Sequence, residues 1–246
     1  DFDAVADQTV TATTTDDDTA GFTIVESGGS TNVDESGTTD TFTIVLDAQP
    51  TSDVVMSISS SDTGESSVSG SVTFTPTDWD TPQTVTVTGV DDNLVDGNID
   101  STITIVIIDA NSDDNFDGVA DQTVTATTTD DDVAGFTVSE TGGSTSVDES
   151  GTTDTFTIVL DAQPASDVVL DITSSDTGEA TVTSTLTFTN ANWDTPQTVT
   201  VTGVDDNLVD GTISSTVTIT VDDANSDNDF DAVADQTVTA TTTDDD

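Results

Sequence analysis

Carboxylates are the main ionisable side chains of this 246-residue sequence, which holds 50 Asp and Glu and no Lys, Arg, His, Cys or Tyr. They are placed rather than scattered. One kind of cluster is the loop DDNLVDG, with Asp91, Asp92 and Asp96, and again with Asp205, Asp206 and Asp210. Two further elements go with it: the triplets Asp130, Asp131, Asp132 and Asp244, Asp245, Asp246, and the motif VDESG with Glu35 or Glu149. The other kind is an alternating loop. It carries Asp109, Asn111, Asp113, Asn115 and Asp117, and again Asp223, Asn225, Asp227, Asp229 and Asp231.

Convergent carboxylates and carbonyls are the donor set of a hard cation. Ca²⁺ takes about six to eight oxygen ligands and fits such loops. The competing reading is solvated loop charge, as in salt-adapted proteins. The alternating loop imitates the start of an EF-hand but lacks Gly at its sixth position and Glu at its twelfth, so it is not one.

The formal charge of −50 has no internal cation to answer it. Self-repulsion on this scale opposes compaction, so counter-ions must take part in the folded state. Whole classes of function fall away. Nothing here neutralises phosphates, so nucleic acid is excluded as a partner, and an anionic membrane surface with it. Most catalytic agents are missing, as are the usual zinc and copper ligands. Paired carboxylates leave glycoside hydrolysis as the one realistic reaction. Loop acids holding calcium make poor general acids, so the chain is read as no enzyme.

The elements that must carry these loops follow from an internal repeat. TVTATTTDDD ends at Asp18, Asp132 and Asp246, 114 residues apart each time. Residues 19–132 and 133–246 align without a gap and are identical at about three quarters of positions. The expected organisation is a last strand of a preceding repeat over 1–18, then β-sandwich repeats over 19–132 and 133–246. A unit of this length is too long for a solenoid rung and suits a sandwich domain.

Gln197–Val204, Thr153–Leu160, Asp167–Thr173, Leu186–Thr189, Thr216–Val221 and Gln236–Thr243 alternate apolar and polar residues with the period of a strand. Val, Ile, Thr and Phe dominate them, and Gly, Pro, Asp, Asn and Ser mark the turns. Phe136, Phe156, Phe188 and Trp193 match Phe22, Phe42, Phe74 and Trp79, as core or edge packing. The predicted class is all-β: tandem antiparallel seven-stranded, immunoglobulin-like sandwiches.

Strand polarity then places the acids. QTVTVTGV ends at DDNLVDG, the next strand runs back to the alternating loop, and the last strand returns the Asp triplet to the DDNLVDG end. Each sandwich thus has one acidic cluster at each pole. In a head-to-tail array the two clusters meet at the junction, which is the expected Ca²⁺ site.

Leu186 to Gly211 (LTFTNANWDTPQTVTVTGVDDNLVDG), with VDESG upstream, resembles the Calx-β family and its relatives in giant bacterial surface adhesins. The resemblance implies a seven-stranded sandwich binding Ca²⁺ at its C-terminal pole. The implied ligands are Glu149, Asp205, Asp206, Asp210 and Asp244–Asp246, with Glu35, Asp91, Asp92, Asp96 and Asp130–Asp132 in the first repeat. The place of the Glu comes mainly from the resemblance. Two departures stand out: Asp210 where the family usually has Glu, and no Tyr for its mid-domain Asp-Tyr signature.

The expected function is a structural segment of an adhesin stalk or extracellular filament, stiffened by Ca²⁺ at short inter-domain junctions. Its partners are neighbouring repeats and, in a fibre, other copies of itself, with no direct membrane insertion. An extracellular or cell-surface location fits weak carboxylate sites filled by abundant calcium and a chain with no trypsin-like cleavage site. No signal peptide or membrane-spanning run is present, so an export signal is expected outside this stretch. The alternative is a glycan- or ice-binding module using Thr-x-Thr rows such as Thr239 to Thr243.

Overall fold

Alternation of buried Val, Ile, Leu, Phe and Ala with outward, mostly Thr and Ser, side chains underlies the long strands of the chain. The computed structural model describes Asp3 and residues 5–246. Along the first repeat the strands are β1 (Phe22–Glu26), β2 (Thr31–Asp34), β3 (Thr39–Leu46), β4 (Val54–Ser60), β5 (Ser66–Val68), β6 (Ser71–Phe74), β7 (Gln83–Gly89), β8 (Ile99–Ile107) and β9 (Gln122–Thr129). Along the second they are β10 (Phe136–Glu140), β11 (Thr145–Asp148), β12 (Thr153–Leu160), β13 (Val168–Ser174), β14 (Ala180–Val182), β15 (Thr185–Phe188), β16 (Gln197–Gly203), β17 (Ile213–Val221) and β18 (Gln236–Thr243). The fold is all-β, and the only helices among the described residues are short 3-10 turns.

Each repeat forms one four-stranded and one five-stranded sheet. The orders are β1-β3-β7-β5 with β2-β9-β8-β4-β6, and β10-β12-β16-β14 with β11-β18-β17-β13-β15. Nine segments arise from a seven-strand plan because two strands each break and change sheet. The first breaks at the 3-10 turn Thr141–Gly143, where Gly142 takes a φ of 76°. The fourth breaks after β14, so that β14 pairs β16 while β15 pairs β13. Strands that cross between layers close the corners of a sandwich.

The core of the second repeat is drawn from both sheets. Phe136, Phe156, Ile158, Val199 and Val201 from one layer meet Leu170, Ile172, Val217, Ile219 and Val238 from the other. Trp193 packs half-buried at the edge of this cluster, as edge packing requires. The described residues fall into two compact units. Residues 39–88 and 101–126 belong to one; Asn32–Thr38, Gly89–Asp100 and Thr127–Asp246 form the other.

One stretch departs from its own sequence. Residues 8–15 spell QTVTATTT, as β9 and β18 do, yet they form no strand. Val10 is 93% exposed, whereas Val124 and Val238 are 4% exposed. The reason is the partner: β18 lies between β11 and β17, and residues 8–15 have no sheet edge on either side. Of the stretch expected to be the last strand of a preceding repeat, residues 1, 2 and 4 lie outside the described residues.

Candidate metal centre

Strand pairing, not proximity in sequence, assembles the acidic pole of the second repeat. β11 runs parallel to β18, with Asp148 opposite Thr243, and the Glu149 backbone N–H donates to the Thr243 carbonyl at 3.1 Å. Glu149 therefore stands beside the first residue of the Asp244–Asp246 triplet. β16 ends at Gly203, which must be glycine: a Cβ there would lie 2.1 Å from the Asp148 carbonyl oxygen. This close approach delivers the Asp205–Asp206 loop to the same place. Asp148 itself turns the chain there, its carboxylate accepting from the Ser150 N–H at 2.9 Å.

Asp244 and Asp206 organise the loops. Asp244 accepts from the Gly211 N–H at 2.8 Å and the Asp246 N–H at 2.9 Å. Those backbone donors, Gly211 foremost, hold its carboxyl below the usual range. Asp206 accepts from the Leu208 N–H at 2.6 Å. In the first repeat Asp130 likewise takes the Asp96 and Gly97 N–H groups at 3.1 and 2.8 Å, and Asp92 takes the Leu94 N–H at 2.7 Å.

The convergent oxygens belong to Glu149, Glu179 and Asp210, which lie within 4.8 Å of one another. Glu149 is 1% exposed and Glu179 6%. One carboxylate oxygen of each is buried and accepts no hydrogen bond among the described residues. Burial is the main force raising the Glu149 carboxyl, followed by the charges of Asp244, Asp206, Glu179 and Asp210. The Glu179 carboxyl is raised in the same way, by burial and then by Asp210, Asp176, Asp206 and Asp244. A buried carboxylate demands a partner, and no side chain of this sequence can supply a positive charge. A divalent cation satisfies both requirements, and a set of carboxylate oxygens fits a hard ion such as Ca²⁺.

In the first repeat, the oxygens of Glu35, Asp92 and Asp132 converge to the same limit of 4.8 Å. One Asp132 oxygen is buried without a hydrogen bond among the described residues. Burial and then Asp130, Asp131, Asp92 and Asp91 raise its carboxyl. Asp205 lies close enough to Asp245 to help raise that carboxyl, after burial and Asp148. Asp91, Asp131 and Asp246 thus border the set as charges rather than as members of a convergent trio.

Glu179 is absent from the set expected from the sequence. It closes the motif SDTGE, which recurs unchanged at Ser61–Glu65 and Ser175–Glu179 although the residues after it differ. Glu65 is its counterpart and is equally buried. Position in the motif places it: Asp176 accepts from the Gly178 N–H at 3.0 Å, and the Glu179 carbonyl accepts from the Val204 N–H at 2.8 Å, at the root of the Asp205 loop.

The alternating loop looks different. Among the described residues no three carboxylates converge there, so Asp109, Asp117, Asp223, Asp229 and Asp231 join no such group; Asn111 and Asn225 stand in the same loops. Asp113 is occupied by the protein itself. It accepts from the Thr51 hydroxyl at 2.6 Å, the Ser52 N–H at 3.0 Å and the Asn115 N–H at 3.0 Å, and the Thr51 N–H points at it too. These donors, the Thr51 hydroxyl first, hold its carboxyl far below the usual range against the effect of burial. Asp227 repeats the arrangement with the Ser166 N–H and hydroxyl and the Asp229 N–H. Both acids cap short 3-10 turns that bury Phe116 and Phe230. No helix among the described residues is long and apolar enough to cross a membrane.

No family model matches the sequence, and no curated protein matches it. Among solved structures the chain is similar to CBD12 from CALX1.2, at 15% identity over 80% of this chain and 79% of that one, with a TM-score of 0.33. It is similar to domains 4 and 5 of the S-layer protein SbsC, at 14% identity over 92% and 100%, with a TM-score of 0.37. A protein of unknown function from Porphyromonas gingivalis W83 aligns at 10% identity over 92% and 96%, with a TM-score of 0.29.

Proposed function

We propose that this chain is a cation-stabilised structural segment of an extracellular surface protein, with Ca²⁺ as the ion and no catalytic role. The observation that carries the reading is the pair Glu149 and Glu179. They are two buried carboxylates, each with an oxygen that accepts no hydrogen bond among the described residues, facing Asp210 in a chain with no basic side chain. Glu149, Glu179 and Asp210 would hold the ion, with Asp206 and Asp244 shaping the loops around them. The ion supplies charge neutralisation. It joins the end of β11, the SDTGE loop and the DDNLVDG loop, three segments that otherwise repel, beside the acidic chain after β18. Such a site stabilises a fold and offers no activated nucleophile, which suits a spacer. The stalk or filament role rests on the recurrence of a convergent carboxylate trio in each repeat. Residues 1–18 are assigned on their sequence to a preceding sandwich, and 19–132 and 133–246 to two full ones.

Calorimetric titration of the metal-free chain tests the reading. Sites of this type bind with dissociation constants on the order of 10⁻⁴ to 10⁻³ M. Saturable calcium binding in that range, weakened at the second-repeat site in Glu149→Gln and in Glu179→Gln, is expected. A chain that binds no calcium up to about 10 mM, ten times the weak end of that range, overturns it.

A further inference from the structure

The DDNLVDG loop of the first repeat carries two apolar residues that cation binding does not use, Leu94 and Val95, and both are half-buried. Leu94 forms a parallel β-bridge with Gln163. The Val95 N–H donates to the Gln163 carbonyl at 3.0 Å, and the Gln163 N–H donates to the Asn93 carbonyl at 2.7 Å. The Val95 side chain packs against the core cluster of the second repeat, and with Ala134 and Val233 it borders one hollow. All of these residues lie within one compact unit. Both sides of the contact are shaped by bonds of their own. On the loop, Asp92 accepts from the Leu94 N–H at 2.7 Å, and Asp130 accepts from the Asp96 and Gly97 N–H groups. On the other side, the Gln163 side chain donates to the Asn190 carbonyl at 3.0 Å, and the Asn190 side chain donates to the Pro164 carbonyl at 3.2 Å.

The acids take no comparable part in this contact. Asp130 and Asp132 of the first repeat and Asp229 of the second border the same hollow. Yet no convergent carboxylate trio among the described residues draws on both repeats. Glu35, Asp92 and Asp132 belong to the first, as do Glu35, Glu65 and Asp96, whereas Glu149, Glu179 and Asp210 belong to the second. A cation held by any of these sets ties together loops of one sandwich. Across the contact the carboxylates repel one another, and the attraction comes from two backbone hydrogen bonds and the burial of Val95.

We propose that Leu94–Val95 is the element by which the DDNLVDG loop of one repeat recognises the next, its partner being the Ala162–Pro164 edge of the following sandwich, and that this joint holds without the cation. The joint goes beyond the cation reading and does not depend on it. The loop then has two separate tasks: its acids serve the pole of their own sandwich, and its apolar pair serves the neighbour. The junction foreseen from the sequence as an ion site is, in this proposal, an apolar peg in a backbone clasp.

The protein contains no cysteine, so a disulfide can report on the joint. Bridge partners lie within disulfide range, about 4.4–6.8 Å between Cα atoms. The full chain with Leu94→Cys and Gln163→Cys is equilibrated in a glutathione buffer, in calcium and in excess chelator at equal ionic strength. The ratio of closed to open chains gives the effective concentration of one thiol at the other. The expected ratios in the two conditions agree within about twofold, since no coupling links the ion to the joint. Adding Val95→Asp sets a charge beside Asp130, Asp132 and Asp229 and should lower closure about tenfold or more. Val95→Ala removes only apolar contact and should lower it several-fold. A double variant that closes in neither condition overturns the contact. A larger fall in chelator overturns its independence from the ion, and closure unchanged by both Val95 variants overturns the role of the peg. Calorimetric titration of the same double variant reads calcium binding separately. A chain that binds no calcium yet closes sinks the cation reading and leaves the joint standing.

Discussion

Neutralising Glu179 should move stability in opposite directions depending on calcium. In Glu179→Gln the carboxylate that faces Glu149 and Asp210 within 4.8 Å becomes a neutral amide of nearly the same shape. Without calcium a repulsion disappears. Unit charges at that separation interact with about 3.5 kcal/mol at an effective dielectric constant of about 20, and with about 1 kcal/mol in water. Asp210 is exposed, so the lower figure governs, and the melting temperature of the metal-free variant should rise by roughly 4 °C. With calcium the sign reverses. At a concentration of about 100 times the dissociation constant, the ion stabilises the parent by about 2.7 kcal/mol. Loss of one charged ligand that weakens binding about tenfold cuts this to about 1.4 kcal/mol by the same relation. The calcium-induced rise in melting temperature should therefore fall by about half. Differential scanning calorimetry of parent and variant, each in calcium and in chelator at equal ionic strength, reads all four values. A variant that melts lower in chelator with an unchanged calcium increment would show Glu179 to be an ordinary buried polar residue, and the reasoning would fail.

Two further outcomes follow from the same geometry. The carboxyls of Glu149 and Glu179 are raised in the folded chain above their usual 4.5, so their stabilising contribution is present below that pH and is lost as pH rises through the raised values. Metal-free protein should therefore melt lower as pH climbs from about 4.5 towards neutrality, while calcium should flatten the profile. A metal-free melting temperature that rises across this window refutes the assignment. Asp227→Ala strips the acceptor from the Ser166 and Asp229 N–H groups and should cost about 1–3 kcal/mol. The loss should be equal in calcium and in chelator, with the calcium titration unchanged. A selective loss of calcium affinity would instead make Asp227 a ligand.

How much of the site could be read from sequence depended on how each acid meets the backbone. Asp206, Asp210 and Asp244 were legible because strand polarity alone carries their loops to one pole. The place of Glu149 came mainly from resemblance, since nothing local shows that β11 pairs parallel to β18. Glu179 escaped because SDTGE reads as a turn with an incidental acid. Its place beside the Asp205 loop is set by the long-range hydrogen bond from the Val204 N–H to its carbonyl. The alternating loop is arranged differently. Asp113 and Asp227 sit in a ligand-like pattern, yet they serve as caps, because a carboxylate at the N-terminus of a tight turn takes the nearest free N–H groups. The distinction lies in the donors: a cap has several, whereas Glu149 and Glu179 each leave a buried oxygen with none among the described residues.

The fold was more legible than the site, and residues 8–15 show why it was not fully so. QTVTATTT occurs three times and is a strand only where sheet edges flank it, because alternation specifies which face is apolar but not which neighbour pairs. An isolated strand has no hydrogen-bond partners and no layer on which to bury Val10. The same logic governs the loop pair Leu94–Val95 and Leu208–Val209: identical residues, half-buried in one context and exposed in the other. In a chain built of near-copies, local sequence fixes what each surface can bind, and the presence of the next copy decides whether it does. That is the property expected of a unit made to be repeated.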